Sequence, residues 1–130
     1  MTMPDVAPVT KTLTQEVIDA YAGASGDFNP IHIDPDFART TPMGGTIAHG
    51  MLVLASISEM MTVAFGEAWV RTGKLDVRFR APARPGDTIT ARARATAEAA
   101  GVLRYAVECL NQKEEMLISG TAEVRAGTAG

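Results

Sequence analysis

Asp27-Phe28-Asn29-Pro30-Ile31-His32 puts a carboxylate, a carboxamide and an imidazole into six residues. A carboxylate and an imidazole can each move a proton near neutral pH, and two such groups on one water make an acid/base pair. The spacing sets a condition. Five residues apart on a helix, Asp27 and His32 point well away from each other; on a strand they point to opposite faces. They meet only if the chain turns between them. Pro30 fixes its own φ and drives Asn29 out of the helical region, so a turn is expected here. Asn29 can lock that turn through its side chain. An isolated Asp or His in a loop is ordinarily a cap or a solvated surface group. Three such groups in six residues, stiffened by Pro30, favour a site, with Asp27 and His32 as its chemistry and Asn29 and Pro30 as its shape.

Other candidates are weaker. His49 stands just before a long apolar run and reads as a cap or packed histidine that shapes the site. Gly50 follows it. A helix N-terminus has unpaired N–H groups and partial positive charge, and a glycine there lets a ligand carbonyl approach closely. An ordinary small residue at a helix start explains Gly50 equally well on local evidence. Ser58 and Thr62, four apart, read as hydroxyls bonded to their own helix's carbonyls. Cys109 and the methionines read as core filling. Two His and one Cys are too few for a zinc site, so no metal is expected.

The elements that must position these groups follow from pattern. The 130 residues suit one domain with a sizeable core. The formal charge of −3 and the absence of a basic block give no reason to expect nucleic acid. One cysteine allows no intrachain disulfide and fits a reducing, cytoplasmic compartment. Met1 to Val9 lacks a signal-peptide pattern. Ile47 to Phe65 is mostly apolar, but Ser56, Ser58, Glu59 and Thr62 interrupt it, so it reads as a buried helix and not a membrane span.

In chain order, residues 1–8 are expected to be flexible and Val9 to Leu13 to form a short strand. Thr14 caps a helix over Gln15 to Ala24, with Val17, Ile18, Tyr21 and Ala22 on one stripe; Gly23 and Gly26 end it. Asp34-Pro35 starts a short helix through Phe37 and Ala38, and Thr40 to Thr46 reads as a loop. The helix from Gly50 to Phe65, about 24 Å long at 1.5 Å per residue, is apolar all round in its first half and is therefore expected to be buried all round there. Gly66 ends it. The period then becomes two. Strands are predicted over Leu75 to Ala81, Thr88 to Ala97, Val102 to Leu110 and Met116 to Arg125, with turns at Pro82–Asp87, Ala100-Gly101 and Asn111–Glu115. The tail, 126–130, is expected to be flexible. A sheet with one apolar face must cover something, and the apolar helix is the obvious object. The fold class is α+β: a curved antiparallel sheet wrapped round one helix.

The run Tyr21-Ala-Gly-Ala-Ser-Gly-Asp27-Phe-Asn29-Pro30-Ile-His32-Ile-Asp34, followed by His49-Gly50-Met51, closely resembles the hydratase motif of the MaoC-like family, which includes the (R)-specific enoyl-CoA hydratases and has the hot-dog fold. The likeness extends through the strand and Pro-Gly-Asp turn of Phe79 to Asp87. The resemblance implies that Asp27 and His32 are the catalytic pair, that the Gly50 amide binds the thioester oxygen, and that Ser58 supports the catalytic residues. It further implies an acyl-CoA substrate with no cofactor beyond the CoA that the substrate carries, and a homodimer with its acyl pocket near the interface. The expected activity is reversible hydration of a trans-2-enoyl-CoA to an (R)-3-hydroxyacyl-CoA. The alternatives are a hot-dog thioesterase, a non-catalytic subunit of a hetero-oligomeric dehydratase, and a pure acyl-CoA-binding module. Arg80 and Arg84 are guesses for phosphate contacts.

Overall fold

The computed structural model describes residues 3–125. The expected flexible tail over 126–130 lies outside the described residues. Ten elements follow one another: β1 (Val9–Thr12), α1 (Gln15–Ser25), α2 (Pro30–Ile33), α3 (Pro35–Arg39), α4 (Gly50–Phe65), α5 (Glu67–Thr72), β2 (Lys74–Phe79), β3 (Thr88–Ala99), β4 (Val102–Leu110) and β5 (Met116–Arg125). The strands form one antiparallel sheet in the order β1-β3-β4-β5-β2.

Period-two alternation decides which side chains face the helix. Ile89 and Ala91 of β3, Leu103, Tyr105, Val107 and Cys109 of β4, and Ile118, Ala122 and Val124 of β5 all point inward. They share one core cluster with Val53, Ile57, Met60 and Met61 of α4. The other face carries charge, including the cross-strand ion pairs Arg92–Glu108 and Arg104–Glu123. A bulge between Ala95 and Ala97 lets β3 run two residues past its expected end. A hairpin turn with positive φ at Ala100 and Gly101 joins it to β4, as hairpin twist favours. β2 stops at Phe79, short of Ala81, because the amides of Arg80 and Ala81 both turn to the one carbonyl of Leu117.

Four expectations need correction. α4 is not buried all round: Met51 is 59 % exposed, and Ala55 is exposed too. The sheet covers only the face carrying Val53, Ser56, Ile57, Met60 and Met61. On α1 the buried stripe narrows to Ile18 and Ala22, while Val17 stands outward. Residues 3–8 are not free: Met3 and Val6 pack against the core, and the Tyr105 hydroxyl donates to the Pro4 carbonyl at 2.7 Å. Finally, α5 was not expected. It folds back from Gly66 and buries Trp69. Among the described residues no helix is long and apolar enough to cross a membrane.

Candidate active site

The site is assembled by caps. Thr14 Oγ1 accepts the Val17 amide to start α1, and Gly26, at φ 79°, closes it in the left-handed region with its N–H on the Ala22 carbonyl. The chain leaves α1 directly into Asp27. Asp27 Oδ1 accepts the Asn29 amide at 3.2 Å, and Asn29 Oδ1 accepts the Ile31 amide at 3.1 Å. With Pro30 at its first position, Asn29 thereby caps a single helical turn, α2. The turn anticipated between Asp27 and His32 is this helix. Asp34 then repeats the device, accepting the amides of Asp36 and Phe37 to start α3.

His32 sits on α2 with its side chain 11 % exposed; that of Asp27 is 51 % exposed. His32 Nδ1 lies 2.8 Å from the Ile47 carbonyl. A carbonyl only accepts, so Nδ1 carries the proton and donates it. In the neutral ring Nε2 is then a bare acceptor. It faces Asp27 Oδ2 at 3.9 Å, too far for a direct hydrogen bond. Asp27 Oδ1 is already engaged with the Asn29 amide, so Oδ2 is the oxygen that faces His32.

His49 is almost completely buried, and its ring stacks on His32 with centroids 3.9 Å apart and planes at 26°. Its Nε2 donates to the Asp27 backbone carbonyl at 2.9 Å, and Tyr21 meets its ring edge-on at 4.8 Å. His49 Nδ1 has no partner among the described residues. One imidazole therefore braces both Asp27 and His32. His49 also stands at the N-cap of α4, where its carbonyl accepts the amides of Leu52 and Val53. The amides of Gly50 and Met51 precede that ladder, at the positive end of the helix dipole.

Residues 2–115 match the family model described as MaoC like domain. The chain belongs to the MaoC-like family. It is 38% identical over 85 residues to the (R)-specific enoyl-CoA hydratase of Rhodospirillum rubrum, a match covering 65% of this chain and 59% of that protein. It is 40% identical over 95 residues to 3-hydroxyacyl-thioester dehydratase Z of Mycobacterium tuberculosis, covering 70% and 60%. The chain thus spans about three fifths of the length of these two curated relatives. Among solved structures, the (R)-hydratase from A. caviae involved in PHA biosynthesis superposes with a TM-score of 0.84 at 26% identity, covering 98% of each chain. R-Hydratase PhaJ1 from Pseudomonas aeruginosa also gives 0.84, at 27% identity over 97% of this chain and 82% of that one. The curved sheet round a helix is the hot-dog fold of these neighbours.

Of the residues singled out in this MaoC-like chain, Asp27, Asn29, Pro30, His32 and His49 come together, and Gly50 adjoins them as the next residue after His49. Ser58 does not join them. Its Oγ accepts the Trp69 indole N–H at 3.3 Å, because α5 folds back over that side of α4. Thr62 does bond to its own helix, donating to the Ser58 carbonyl, but the Ser58 hydroxyl does not. The serine bonded to its own helix is Ser56, which donates to the Val53 carbonyl and lies 3.6 Å from Cys109 Sγ. Burial pushes the Cys109 thiol pKa up, against a smaller opposing effect of the Ser56 hydrogen bond. Arg80 bonds Ser119 at 2.8 Å, and the Arg84 guanidinium lies beside Gly45.

Two contributors have no signal in the motif. Gln15, at the start of α1, donates to the His32 carbonyl and accepts from Thr46 Oγ1, both at 2.8 Å, tying α1 to α2 and to the loop before α4. Phe79, at the end of β2, lays its ring against Gly50. Asp27, His32 and His49 could offer three ligand atoms within 4.8 Å to a metal ion, a proximity that counting His and Cys does not see. In this structure one nitrogen of each ring is taken up by a backbone carbonyl, His32 Nδ1 by that of Ile47 and His49 Nε2 by that of Asp27.

Proposed function

We propose that this chain catalyses the reversible hydration of a trans-2-enoyl-CoA to an (R)-3-hydroxyacyl-CoA, with Asp27 and His32 acting on one water and the Gly50 amide holding the thioester oxygen. The observation that carries the reading is the 3.9 Å between His32 Nε2 and Asp27 Oδ2. Both are acceptors, so bare contact is unfavourable. A water donating one hydrogen to each spans the distance with ordinary hydrogen bonds and leaves its lone pairs free.

The reaction adds H and OH across C2 and C3. As the water oxygen attacks C3, one member of the pair takes its proton and the C2–C3 π electrons move toward the thioester carbonyl. Negative charge develops on that oxygen, and the Gly50 N–H with the α4 dipole stabilises it. The pair returns a proton to C2. His32 can change protonation only at Nε2, because its Nδ1 proton is held by Ile47. The names of the curated relatives support the reaction type and the (R) configuration. CoA enters as part of the substrate.

The working unit is a homodimer on this reading. The outward face of α4, with Met51 59 % and Val63 72 % exposed, is apolar surface that a second copy would cover. β1 and β2 are the edges of the sheet, where pairing across a two-fold axis is possible.

The test is an assay of the purified protein against trans-2-enoyl-CoA thioesters of graded acyl length, with product analysis. Loss of the conjugated enoyl thioester and appearance of the (R)-3-hydroxyacyl-CoA, without free thiol, is the expected result. Free CoA would make it a thioesterase, and no turnover across the panel would reduce it to a binding module or a non-catalytic subunit.

A further inference from the structure

We propose that Phe79 is a specificity-determining residue: its ring forms the wall of the slot in which the thioester meets the Gly50 amide. The inference rests on the reading of Gly50 given above and adds to it the residue that selects what lies there.

Phe79 ends β2, in register with Ile118 of β5. Its neighbours Arg78 and Arg80 are exposed, and Arg80 bonds Ser119 on the charged face of the sheet. Strand alternation therefore sends Phe79 to the helix side. There it reaches the first turn of α4. A Cβ built on Gly50 would lie 3.0 Å from Phe79 Cε1 and 3.2 Å from Cδ1. A side chain at position 50 would press on the ring, which would have to give by a few tenths of an ångström.

Simple core packing does not account for the ring. Phe79 is 54 % exposed, whereas the inward residues of β4 and β5 that form the core are almost completely buried. Phe79 thus keeps more than half of its surface exposed while one edge of its ring lies beside Gly50, at the turn where α4 offers unpaired amides. A flat apolar ring in that position does two things. It keeps water from one side of the Gly50 N–H, which strengthens a hydrogen bond to a developing oxyanion. It also presents a rigid surface to the planar conjugated enoyl thioester, so a substituent near the carbonyl must clear the ring.

The prediction concerns selectivity. Phe79→Ala should raise KM for a short linear enoyl-CoA and raise the kcat/KM ratio of α-branched to linear substrate by about tenfold or more, the ordinary range for apolar pocket contacts. Gly50→Ala should lower kcat/KM for the linear substrate, and Gly50→Ala/Phe79→Ala should recover part of that loss, because the added methyl would no longer meet the ring. Melting temperature confirms that each variant is folded. The affinities of saturated linear and α-branched acyl-CoA, measured by calorimetry on the same proteins, give a readout that needs no turnover. Wild-type turnover with an unchanged branched-to-linear ratio in Phe79→Ala overturns the role of Phe79 and leaves the hydratase reading intact. Absence of wild-type turnover overturns the hydratase reading. In that case unchanged relative affinities in Phe79→Ala overturn the wall as well, and a shift toward the branched ligand upholds it.

Discussion

Between Gly26 and His49 the chain is held by directional polar bonds; from Gly50 onward it is held by burial. α2 buries no residue completely and α3 only Ala38, and their starts are fixed by Asn29 and Asp34 as caps. α4 buries five residues against a sheet whose inner face is almost wholly apolar. Burial is strong but non-directional, so it sets the frame. Hydrogen bonds contribute modestly to net stability yet fix angles and tautomers. The acid/base candidates lie in the first region, and the wide core lies in the second.

The sharpest separation of the two regions comes from the pair itself. Asp27→Asn and His32→Gln should each lower turnover by about 10²–10⁴-fold, the usual worth of positioned acid/base catalysis, with little change in melting temperature. The double variant should fall far short of the product of the two losses, since groups acting on one water behave as a unit. Steady-state kinetics on folded variants checks this; near-normal hydration by either one would show that the segment is only a turn.

The core should respond in the opposite sense. Ile57 is completely buried on α4, and Ile57→Ala should cost about 2–5 kcal/mol of stability. Turnover per folded molecule should stay near normal below the transition. Denaturant unfolding with parallel activity measurements decides it, and a large fall in kcat without loss of stability would erase the contrast.

A smaller effect tests the N-terminal strap. Burial, and secondarily the charge of Asp5, raises the Tyr105 phenol pKa. The folded state thus favours the neutral phenol. Its contribution is complete below the ordinary tyrosine pKa, about 10, and is lost as pH rises through the raised value. Tyr105→Phe should cost about 1 kcal/mol near neutral pH through loss of the bond to the Pro4 carbonyl. The stability difference between the two proteins should shrink at strongly alkaline pH, as unfolding at several pH values would show.

The same division explains what could be read from sequence. Alternation marked β2 to β5, and the apolar run marked α4, because periodicity reports which side is buried; β1, four residues long with no alternating burial, offers no such pattern. It did not report that α4 has an outward face, since Met51 and Ala55 are as apolar as the residues that the sheet covers. α2 and α5 are too short for periodicity to register. Asn29-Pro30 carries the same cap-and-proline signature as Asp34-Pro35, yet a helix of four residues leaves no more pattern in a sequence than a turn does. Gly66 closes α4 and opens α5 at once, so only the end was legible. In the site, Asp27, Asn29 and His32 are neighbours in sequence and could be grouped. The stacking of His49 on His32, the bridge from Gln15 to Thr46 and the ring of Phe79 on Gly50 join distant stretches, and no local pattern encodes them.

The sheet is long in the middle and short at its margins. β3, β4 and β5 have 12, 9 and 10 residues, while the edges β1 and β2 have 4 and 6. An edge is where one chain can recruit another without limit, and the free energy gained per added copy scales with the length of ladder it offers. Here that ladder is only a few residues long, and β2 alternates Lys74, Asp76 and Arg78 outward along it. Stacking on an aggregate is therefore weakly rewarded at every step. A closed pairing that also covered the apolar face of α4 would gain more than such stacking, so on the dimer reading the short edges disfavour open growth and leave a single two-fold neighbour as the better-rewarded contact.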